Sequence, residues 1–239
     1  MNLLLDFLCR FGWGMAVGLV ITPAAIVPAG FFRVNLLVVL GLATAAALVG
    51  GSIAAEGQVW PAATAAAVTA WLGSVAWLGE RRRAGRWFCG LTAALLGWAT
   101  VASAGPDWQA AAGAVVSGLV TGLTVHAMLL GHWYLNAPGM RVDALRRMID
   151  AALAAWGLQL ALSLAAWAMA GGPAASGTTE TALLALRWLA GLVGLPILLL
   201  MARQTLAIPN TQSATGILYV ACLAAILGEL TAQLLLATT

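Results

Sequence analysis

The chain has 239 residues, of which 62% are hydrophobic and 8% charged, with a mean hydropathy of +0.97; a soluble domain carries about 25% charged residues. So few polar groups cannot cover a globular surface, so the surface faces lipid and a soluble domain is excluded. The 11 basic residues are all arginine and leave a net charge of +3, but they sit in short breaks without a basic, aromatic-interleaved stripe, which excludes a nucleic-acid partner.

Apolar stretches alternate with short polar breaks along the whole sequence. The pattern predicts an all-α, polytopic bundle of about eight transmembrane helices in one domain, at 4–27, 31–51, 60–79, 87–104, 108–135, 144–170, 181–203 and 214–236. Most of these reach the ~20 residues that cross a hydrocarbon core of ~30 Å. The first stretch lacks a basic n-region and a small-x-small cleavage site, so it is expected as a retained helix rather than a signal peptide. Thr22, Pro23 and Pro28 mark its exit. The GERRRAGR break ahead of the fourth span reads as a solvated loop able to meet anionic lipid heads. NAPGMRVDALRR, centred near Pro138 and Gly139, turns the fifth span into the sixth. Pro209 ends the seventh, and Asn210, Thr211 or Ser213 is placed to cap the eighth.

Arg33, the group Arg81, Arg82, Arg83 and Arg86, the group Arg141, Arg146 and Arg147, and Arg203 fall at alternate loops. Nine of the 11 arginines therefore share one side, which the positive-inside rule makes cytoplasmic. Glu56, Asp107, Glu180 and both termini are then outside, and the expected location is a bacterial cytoplasmic membrane. Trp60, Trp87, Trp108 and Trp133 fall near helix ends at headgroup depth, whereas Trp71, Trp98, Trp156 and Trp167 are deeper and expected to pack. Cys9, Cys89 and Cys222 are far apart in apolar surroundings, so neither a disulfide framework nor a thiolate metal site is expected. No internal repeat is evident.

Ionisable groups within a bilayer are costly and each requires a reason. The fifth span holds the only two histidines. Gly118, Gly122 and His126 recur every four residues and form one small-residue stripe that admits a neighbouring helix or a flat cofactor close to the backbone. A haem is the sharper reading. His126 and His132, six residues apart, are rotated by about 240° and separated by ~9 Å of rise, so they cannot grip one iron from opposite faces. A haem b would need one histidine with a methionine such as Met128 or Met140, or a ligand from another subunit. His132, Trp133, Tyr134 and Asn136, with the amides and hydroxyls of the last loop, suit a quinone head group as well as ordinary capping. Across the fifth turn His126 is level with Asp150, whose nearest partners are Arg146 and Arg147 on its own helix. Arg187 and Glu229 lie at matching depths, ~10 Å below the outer surface, on sequential antiparallel helices, so an Arg187–Glu229 ion pair is expected.

P-loop, GxSxG, HExxH and EF-hand signatures do not occur. Two functions of different class fit these residues, neither of them an enzyme acting alone. One is a membrane subunit of an electron- or proton-transfer assembly, partnered by other membrane subunits, with a quinone or haem pocket formed by Gly118, Gly122, His126, His132 and Tyr134. The other is a transporter of an ion or small solute whose pathway uses Asp150, Arg187 and Glu229. A non-catalytic scaffold or assembly factor is a third.

Overall fold

The computed structural model describes residues 2–52, 57–137, 139–170, 177–208 and 210–238; Glu56, Pro138 and Pro209 lie outside the described residues. Eight helices run through them: α1 (Leu3–Ile21), α2 (Ala29–Ser52), α3 (Val59–Leu78), α4 (Arg82–Ser103), α5 (Trp108–Asn136), α6 (Asp143–Ala170), α7 (Thr178–Thr205) and α8 (Thr211–Thr238). No strand occurs among the described residues. The protein is an all-α, multi-pass membrane bundle. Seven helices are long and apolar enough to cross a bilayer on their own. The eighth, α4, starts with Arg82, Arg83 and Arg86, yet it lies antiparallel along the whole of α3. Gly85 abuts Trp77 at one end, Thr92 Oγ1 meets Thr69 Oγ1 at 3.0 Å midway, and Trp98 donates to Gln58 at 2.9 Å at the other.

Boundaries differ from expectation where backbone chemistry intervenes. α1 stops at Ile21 rather than near residue 27, because Thr22 precedes Pro23 and is driven extended (φ −66°, ψ 126°). α4 begins five residues earlier than expected, after a tight turn through Glu80 at φ 54°. Arg82, Arg83 and Arg86 are therefore helical, and the solvated loop shrinks to a few residues. Asp107 caps α5 by accepting from Gln109 and Ala110, and Asn210 caps α8 by accepting from Ser213 at 3.0 Å.

All the arginine-bearing turns meet at one end of the bundle. There Arg82 reaches the Ala24 carbonyl, Arg146 the Leu206 carbonyl, and the Trp133 ring lies over Gly30. α1–α4 form a ring of four in which α1 touches both α2 and α4, and α5–α8 form a second ring in which α5 touches both α6 and α8. α1 and α5 join the two halves. They run parallel, since Gly14 meets Gly118 and Gly122 while Gly18, one turn on, meets His126.

The tryptophans divide differently from expectation. Trp156 is partly buried and donates to the Leu192 carbonyl at 3.2 Å, but Trp71, Trp98 and Trp167 are about half exposed on the lipid-facing surface. With lipid outside, a large apolar ring incurs no cost there. The three cysteines are free and buried.

Candidate functional site

The Gly118–Gly122–His126 stripe is filled by α1. A Cβ on Gly14 would collide with the Gly118 carbonyl, one on Gly122 with the Gly14 backbone, and one on Gly18 would stand 2.5 Å from His126 Cγ. Small residues at spacing four on both helices let the backbones touch. His126 is fully buried; its Nε2 lies 2.9 Å from Thr22 Oγ1 and the Phe31 ring meets it edge-on at 5.3 Å. Thr22 itself donates to the Gly18 carbonyl, so its single proton is committed, and the imidazole Nε2 serves as donor to the Thr22 oxygen. Nδ1 has no hydrogen-bond partner. The geometry is that of a packed histidine, with the space a flat cofactor would need taken by α1.

At the arginine end, His132 Nδ1 lies 3.2 Å from Tyr219 Oη, and both residues are exposed. Tyr134 is buried and its hydroxyl donates to the Arg141 carbonyl, fastening the turn after α5. It is not brought together with His126. Asp150 pairs with Arg203 on α7, through both carboxylate oxygens and with both side chains about half exposed, rather than with Arg146 or Arg147. Arg146 is drawn away to cap the Leu206 carbonyl, and α7 brings Arg203 alongside α6.

The expected Arg187–Glu229 pair is also replaced. Glu229 Oε1 accepts from Arg10 of α1 at 2.9 Å and from Gln233 at 2.6 Å, with Arg10 and Glu229 side chains only 7% and 2% exposed. Arg187 instead donates to Ser163 Oγ of α6 at 3.1 Å, within electrostatic reach of Glu229. Asp6 is one helical turn from Arg10, buried, beside the Ser103 hydroxyl, and feels both Arg10 and Glu229. The cluster thus holds two acids and two arginines, neutral in sum. It draws on α1, α4, α7 and α8 at the ends opposite the arginine turns, with Arg10, Arg187 and Glu229 ~10–14 Å below those helix ends and Asp6, Ser103 and Gln233 nearer to them.

Within this cluster the buried atoms Asp6 Oδ2, Arg10 Nε, Arg187 Nε, Glu229 Oε2 and Gln233 Oε1 have no hydrogen-bond partner. They are most of the orphaned buried polar atoms among the described residues. Each such group is destabilising by about 1–3 kcal/mol, more when charged, so their convergence marks a costly polar cluster inside the bundle. The backbone beside it is irregular too. Arg187–Gly194 is wound as a π-helix, a form frequent at functional sites, and Gly191 and Gly228 pack backbone to backbone beside Glu229. Sequence reading missed Arg10, Asp6, Gln233 and Ser103. One signal was present: Arg10 and Arg187 are the two arginines outside the alternating loop pattern. Set against known protein families, curated proteins and solved structures, the chain matches none of them.

Proposed function

We propose that this is an ion carrier that moves protons through the Asp6–Arg10–Glu229–Gln233 cluster with Arg187 at its edge. The observation that carries the reading is a buried Arg10–Glu229 bridge between the two halves of the bundle, surrounded by polar atoms without partners. In transporters built from two halves, coupling-ion sites lie at the interface between them. Among the described residues this is the only salt bridge that joins the halves. A proton arriving on Glu229 removes its charge and releases Arg10 to the Asp6 carboxylate, one turn away on the same helix face. The halves then lose their electrostatic tie, and the π segment of α7 beside Glu229 supplies a place to bend. We place the protein in a bacterial cytoplasmic membrane with both termini outside, in contact with the bilayer and with other membrane subunits. The Asp6–Glu229 cluster then lies toward the outer face, and the Asp150–Arg203 pair lies near the inner face.

The test is proton flux in proteoliposomes loaded with the pH dye pyranine and driven by a potassium-diffusion potential. The unmodified protein acidifies the lumen, and Glu229→Gln abolishes the flux. Glu229→Gln alone strands the Arg10 charge, so the double variant Arg10→Gln/Glu229→Gln, which removes both charges, serves as the folded control and is also inactive. Unaltered flux in the double variant, or no flux from the unmodified protein, refutes the carrier.

A second reading, a subunit of an electron-transfer assembly with a quinone beside α5, draws on the exposed His132–Tyr219 pair, which presents two polar rings at headgroup depth. Quinone or haem in gently solubilised protein, lost in His132→Ala, would favour it.

A further inference from the structure

A groove of about 630 Å³ opens on the lipid-facing side between α1 and α4, toward the arginine end. α1 and α4 are tight farther along, where the Gly12 Cβ position is 3.4 Å from Leu96 and that of Gly97 is 3.1 Å from Trp13. Nearer the arginine end the wall is Leu19 and Val20 on one side and Trp87, Leu91 and Ala94 on the other. Its floor passes Gly90, where an added Cβ would meet nothing within 4 Å. At the mouth stand Arg83 and Arg86, three residues apart and so on one face of α4. Both are exposed and neither makes an ion pair or hydrogen bond among the described residues. Arg82 differs, being turned to the Ala24 carbonyl at 3.4 Å, which ties the α1–α2 turn to the start of α4.

We propose that this groove is a specific site for an anionic phospholipid, with the headgroup phosphate held by Arg83 and Arg86 and one acyl chain lying along Leu19, Val20 and Leu91. Charge complementarity selects the occupant. Two unpaired guanidiniums at headgroup depth offer forked donors that match a phosphate, and basic sites between transmembrane helices on the cytoplasmic side bind anionic head groups. The apolar wall runs from Arg86 to Ala94, ~12 Å of helix, which accommodates much of one chain. Trp87, 80% exposed, is placed to lie against the glycerol region. The groove lies at membrane depth, so its occupant arrives from within the bilayer.

The experiment compares delipidated full-length protein given phosphatidylglycerol or phosphatidylcholine with the same acyl chains. Thermal unfolding is followed, and bound lipid is counted by native mass spectrometry. Phosphatidylglycerol should raise Tm by about 5 °C more than phosphatidylcholine and remain as one tightly held molecule. Arg83→Gln/Arg86→Gln should erase that preference while leaving the phosphatidylcholine value unchanged. Gly90→Leu, which fills the floor and keeps both charges, should lose the retained lipid. Equal stabilisation by the two lipids, or a preference that survives the double arginine variant, overturns the assignment. So does a dimer that dissociates in Gly90→Leu, because it would make a second copy of the chain the occupant.

Discussion

His126 is bonded on one side only. Its Nε2 reaches Thr22 while Nδ1 is buried without a partner, so Thr22 is the one polar contact that offsets the desolvation of the ring. Thr22→Val should therefore destabilise the protein by about 1–3 kcal/mol, the cost of a second buried orphan, while Thr22→Ser should stay near the unmodified value; equal Tm values for the two variants would disprove the dependence. Arg10 poses the same question with a charge. Breaking a buried pair by removing one partner costs about 3–5 kcal/mol, which is why the flux test includes the variant lacking both charges. At this scale sequence reading identified Glu229 and Arg187 as intramembrane charges and paired them with each other. Depth along a helix was the available information, and depth alone does not say which of several helices at the same level stands closest.

Among the elements, α1 and α5 show best what a residue pattern can and cannot specify. The spacing of Gly118, Gly122 and His126 announces a groove, and Gly14 and Gly18 repeat that spacing on α1, with Thr22 four residues on at its exit. Neither stripe states that the other is its occupant. Because the backbones touch, Gly18→Ala or Gly122→Ala should lower stability by about 1–3 kcal/mol through overpacking. Gly41→Ala, where an added Cβ meets nothing within 4 Å, should be neutral or stabilising by up to about 1 kcal/mol. Thermal unfolding of the three variants in one detergent checks the order, and a Gly41 variant as damaged as the others would contradict it. α7 carries a different lesson. Its apolar run predicts an ordinary span, while the stretch Arg187–Gly194 is π-helical where Trp156 of α6 donates to the Leu192 carbonyl and Gly228 of α8 approaches Gly191.

For the whole molecule, eight helices with all arginine turns at one end place both termini at the opposite end. Cysteines introduced near residues 2 and 238, in a background where Cys9, Cys89 and Cys222 are replaced, should both be labelled by an impermeant maleimide from outside intact cells. A cysteine at Arg81 should be labelled only after permeabilisation. Labelling of the two termini from different sides would break the eight-span topology, and labelling of Arg81→Cys in intact cells would reverse the orientation. The like connectivity of the two four-helix rings was hidden from the sequence, because a bundle in lipid repeats only its apolar character and leaves few residues to align.

Composition pointed to the membrane, and apolar runs of about 20 residues selected helices over a closed barrel, the two ways a backbone is satisfied in lipid. Which charges meet was decided by the tertiary structure. Apolar periodicity makes every helix able to face any neighbour, so only the packing of α1 against α5 and α8 brings Arg10 to Glu229 and closes the stripe over His126.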